Sequence, residues 1–84
     1  MPTEQCQTAM ADLAEAKIRT ARRLRELIDA QDELHELEAA EPPDTTAIEA
    51  QRAKVHQAVA NRKAAQEEED ACQERVDDFC GPQE

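Results

Sequence analysis

The chain has 84 residues, twenty acidic side chains against ten basic ones, a formal net charge of −10, one Phe and no Trp or Tyr. Leu, Ile, Val, Met and Phe together supply 14 residues, while Ala alone supplies 16. Those figures exclude more than one domain and a large apolar interior, and no window approaches the ~20 apolar residues of a membrane span.

So thin a core buries little apolar area against the cost of ordering the backbone, and self-association is expected to make up the difference. The dominant residues, Ala, Leu, Glu, Gln, Arg and Lys, all favour helix. The start, Met-Pro-Thr-Glu-Gln, has neither a basic cluster nor an apolar run, so it does not read as a signal peptide. A cytoplasmic protein is expected. Three cysteines, an odd number, fit reduced thiols better than a secreted disulfide framework.

The first element is a helix from about Thr3, a plausible N-cap, to about Ala40. Its apolar residues recur by threes and fours, and the seam reads Cys6, Met10, Leu13, Lys17, Thr20, Leu24, Leu27, Gln31, Leu34, with Leu37 slightly off it. Glu41-Pro42-Pro43-Asp44 then stops the helix, because each Pro disfavours helical geometry in the residue before it. A second helix restarts at about Thr46, where Thr46 and Glu49 have the spacing of a capping box. Its stripe is Ile48, Gln51, Val55, Ala58, Arg62, Ala65, Glu69, Cys72, Val76, Phe79, and Gly81-Pro82 ends it.

The chain therefore reads as all-α: a single domain, residues 1–84, of two long helices (about 3–40 and 46–80) in an antiparallel, coiled-coil-like hairpin. Two hairpins are expected to pair into a four-helix bundle. A turn near Pro43 makes facing residue numbers add to roughly 85, which sets Lys17 near Glu69, a pair suited to fixing register. Ile18 lies off the seam among Ala11, Ala14 and Ala21, and is the expected contact between hairpins.

Charge is banded. Glu26 to Gln51 carries nine acids and no Lys or Arg, and Glu67 to Glu84 carries eight acids and one Arg. Between them, Lys17 to Arg25 holds five basic residues and no acid, and Arg52 to Lys63 holds four and no acid. Folded as a hairpin, the chain has two acidic ends and a basic waist. Either this is a solvated surface with internal ion pairs, or the acidic turn end, with Asp29, Asp32, Glu33 and Glu36, docks a partner that has a basic surface.

Chemistry-bearing motifs are sparse. The cysteine spacing matches no zinc pattern, and His35 and His56 are isolated. Cys6 and Cys72 fit small buried seam residues. Alternatively, Cys6 and Cys80 form a bridge that staples the open end. Leu24-Arg25-Glu26-Leu27-Ile28-Asp29-Ala30-Gln31-Asp32-Glu33-Leu34 is similar to the opening helix of the small helical chorismate mutases. The basic residues that family uses farther along the helix have no counterpart here, and Pro42-Pro43 interrupts its continuation. No catalytic residue, cofactor or metal site is assigned.

The function expected from these features is non-enzymatic: a small acidic homodimer that works by binding another protein. The alternative is an acidic inhibitor whose carboxylates stand in for phosphates and block a nucleic-acid-binding protein, of the phage or mobile-element type. Direct nucleic-acid binding is not expected from a chain of this charge without interleaved aromatics.

Overall fold

A computed structural model describes residues 3–81. Helix α1 runs Glu4–Ala39 and helix α2 runs Thr45–Cys80, and they pack along their whole length as an antiparallel hairpin. The hairpin is a rod of 64 × 19 × 14 Å with a radius of gyration of 18.6 Å. A compact chain of this length would have a radius of about 12 Å.

The ends of the helices follow from local chemistry. Thr3 is the N-cap of α1: it is extended, and its hydroxyl accepts the Cys6 N–H at 3.1 Å. The cap of α2 differs from the expected Thr46–Glu49 box. Asp44 takes that position, with Oδ1 accepting the Ala47 N–H at 3.1 Å, and the Ile48 N–H bonds the Asp44 carbonyl at 2.9 Å. Starting there adds helical bonds that a Thr46 cap would forgo, and an ionised cap also meets the positive end of the helix dipole. Gly81 closes α2 with φ 69, a backbone angle that side chains disfavour. Pro82 lies outside the described residues.

The seam of α2 is close to the expected one, with Ile48, Gln51, Ala58, Ala65 and Cys72 buried and Val55, Glu69 and Val76 half-buried. Arg62 and Phe79 are exposed. On α1 three of the four intervening seam positions move by one residue. Cys6, Leu13, Thr20, Leu27 and Leu34 face α2 as expected, but Ala9, Ala16 and Ala30 stand in place of Met10, Lys17 and Gln31. Between Thr20 and Leu27 both Arg23 and Leu24 are exposed, and beyond Leu34 the seam continues at Leu37. Met10 and Leu24 stand 51 % and 40 % exposed, and Lys17 and Gln31 are exposed too. Size explains the shift. The facing positions of α2 are mostly small, and alanines opposite them let the two backbones come close.

That closeness appears in the polar contacts. The Thr20 hydroxyl, bonded to the Ala16 carbonyl of its own helix at 3.0 Å, also lies 3.3 Å from the Ala65 carbonyl across the seam. Gln51, only 3 % exposed, reaches over to donate to the Ala30 carbonyl at 2.9 Å. A buried amide that must find one carbonyl on the other helix penalises any slip. Gln51 therefore takes the register role expected of Lys17 and Glu69. Facing numbers add to 86 at Cys6–Cys80 and to 85 at Thr20–Ala65.

Candidate interaction surfaces

Two ion pairs bridge the hairpin and mark its two broad sides. Arg19 Nη2 meets Glu68 Oε1 at 3.0 Å on one side, and Arg52 Nη2 meets Glu38 Oε2 at 3.5 Å on the other. Residues seven apart on a coiled helix share a face, so each pair assigns its neighbours to a side.

The acidic stripe lies towards the Arg19–Glu68 side and the outer edge of α1. Asp29, Asp32, Glu33 and Glu36 are spaced by three, one and three, which places them along one face of the helix, and all four are exposed. None of them belongs to an ion pair among the described residues. Their neighbours do: Glu26 meets Arg23 at 3.0 Å, and Glu38 meets Arg52. The waist is thus partly neutralised within the chain, since Arg19 also lies 4.0 Å from Glu15. Lys17 is exposed, and the basic residue that bridges to α2 near Glu69 is Arg19, bonded to Glu68.

The Glu38–Arg52 side carries four of the six large exposed apolar residues, Met10, Leu24, Ile28 and Val59, whereas Phe79 lies beside Asp12 and Arg75 on the other side. Leu24 and Met10 are two and four heptads before Glu38, and Val59 is one heptad after Arg52. Leu24 and Val59 are level with each other in the register, 40 % and 48 % exposed. One turn outward on α1 come Ala14, Ala21 and Ile28, the last 42 % exposed. Ile18, 60 % exposed, is at the outer back of the same helix, beside Glu15 and Arg22. In the sequence the stripe from Met10 to Ile28 merges with the seam. Its own spacing of fours and threes is the signal that separates the two.

At the open end, Cys6 and Cys80 are disulfide-bonded, with Cα atoms 4.9 Å apart. Two of the three cysteines are therefore not the reduced thiols that an odd count suggests; the staple of the open end is present instead. Cys72 is a free thiol, 2 % exposed, with Arg75 Nη2 at 3.0 Å from its sulfur. A shallow groove of about 310 Å³ lies beside the bridge, between Thr8, Asp12, Arg75 and Phe79. His35 and His56 are exposed, and no three potential metal ligands converge among the described residues. Nor is any helix of the described residues long and apolar enough to cross a membrane. Comparison of the chain with protein-family models, curated proteins and solved structures finds no match.

Proposed function

We propose that the protein is a non-enzymatic interaction module: a homodimeric helical hairpin whose acidic turn end binds a protein with a basic surface. The observation that carries this reading is the stripe Asp29, Asp32, Glu33, Glu36. It is exposed and continuous and makes no ion pair among the described residues, whereas Glu26 and Glu38 on either side of it are paired. Uncompensated charge of one sign on a rigid helix steers an oppositely charged partner and sets its orientation. Reversing all four residues to Lys tests it. In quantitative capture from the producing cells, the protein bound by the wild type should be lost by the variant, with helicity unchanged. An identical captured set would leave the stripe as a solvated surface.

The nucleic-acid mimic is the second reading, favoured by the shape of the rod, 64 Å long and 19 Å wide. Its basic waist interrupts the run of carboxylates, which favours the docking reading. Added salt separates them: a phosphate mimic loses affinity steeply, and an acidic patch joined to apolar contacts loses less. The compartment bears on both. In a reducing cytoplasm, the location expected from the N-terminal sequence, the Cys6–Cys80 bridge is expected to open, leaving seam and turn to hold the hairpin.

A further inference from the structure

We infer that the Glu38–Arg52 side of the hairpin is the homodimer face, and that a second copy covers it antiparallel, about a two-fold axis crossing α1 near residue 19 and α2 near residue 66. The inference rests on the dimer reading above and supplies its face and register. Two independent patterns place the axis. On α1 the exposed stripe Met10, Ala14, Lys17, Ala21, Leu24, Ile28 is nearly symmetric about residue 19. An antiparallel copy sets Met10 against Ile28, Ala14 against Leu24, and Lys17 against Ala21, so large side chains meet large or small ones and no acid is covered. On α2 the outer row of the same side is His56, Lys63, Asp70, Asp77, four exposed residues seven apart. That row is two basic-type groups followed by two acids. Reversed about its midpoint, between Lys63 and Asp70, it sets Lys63 against Asp70 and His56 against Asp77, each twice.

The two midpoints coincide. Residue 19 on α1 and the midpoint near 66 on α2 stand at the same level of the hairpin, where Thr20 meets Ala65. One axis therefore satisfies the apolar stripe and the charged row together. On this side the waist shows Lys17 and Lys63, while Arg52 at its edge is paired with Glu38, so few like charges are brought together. Surface area agrees. A compact chain of this mass exposes about 5,000 Å², and the hairpin exposes 6408 Å². The excess exceeds the ~800 Å² per partner that a standard interface covers. The acidic stripe lies away from this face and stays free.

Sedimentation equilibrium on Lys63→Asp and Asp70→Lys, singly and mixed, tests the geometry, with circular dichroism confirming that each remains helical. Each variant alone sets like charges together twice and should dimerise at least about tenfold more weakly than the wild type. The equimolar mixture should recover wild-type affinity as a heterodimer. One chain then carries acids at both positions and the other carries lysines at both, so every facing pair is again of opposite charge. Leu24→Glu should abolish pairing. A dimer that both single reversals leave at wild-type affinity overturns the face while sparing the dimer. A wild type that stays monomeric at about 100 μM overturns the dimer reading itself. So does a monomer whose Leu24→Glu variant loses a captured protein, which would assign the face to that protein.

Discussion

Ala16 is 1 % exposed and Ala9 is 3 % exposed, while Leu24, eight residues from Ala16, is 40 % exposed. The core of α1 is thus chosen by fit to a narrow groove rather than by side-chain size. Adding apolar bulk there should harm the protein: Ala16→Leu is expected to lower stability by about 1–3 kcal/mol, because the backbones must separate to admit it. Leu27→Ala should cost about 2–4 kcal/mol through the lost burial and the cavity left behind. Urea unfolding checks both, and an Ala16→Leu variant as stable as the wild type would refute the close-packed seam. Gln51 makes the complementary point. Replacing it with Leu removes a satisfied buried amide, so stability should hold or rise while register loosens. The readout is a crosslink survey between α1 and α2, which should broaden from one spacing to several.

At the scale of elements, the two helices are held by their ends as much as by their middle. Asp44 caps α2, and its substitution by Ala should cost about 1 kcal/mol, whereas Thr46→Ala should cost little. The bridge at the other end closes a loop of 74 residues in separation, so reduction should lower stability by about 4 kcal/mol in the chain-entropy model. Melting with and without a dithiol reductant measures it, and equal melting temperatures would mean that the seam alone sets stability. These elements also show what the sequence discloses. Both helices, the Pro42-Pro43 break, the stop at Gly81 and the register are legible because each is written in local chemistry. The exact seam of α1 is not, because two stripes share Cys6, Leu13, Thr20, Leu27 and Leu34. Only the small residues of the facing helix decide between Ala9 and Met10, or Ala16 and Lys17. Asp44 is masked in the sequence because the Thr46–Glu49 spacing offers a more familiar cap.

For the whole molecule, shape and charge together define what the protein presents. The proposed axis is not at the middle of the rod, so each turn end extends beyond the open end of the other copy. Two acidic stripes then project from opposite ends, on the order of 40 Å apart at 1.5 Å per residue. A bivalent display of that kind raises apparent affinity for a partner carrying two basic sites at matching separation. Small-angle scattering with an independent mass determination tests this account most directly. The predicted result is a particle of twice the 9.4 kDa chain mass, roughly 75 Å long by the same helical rise. A monomer mass, or a dimer no longer than the 64 Å hairpin itself, would contradict it.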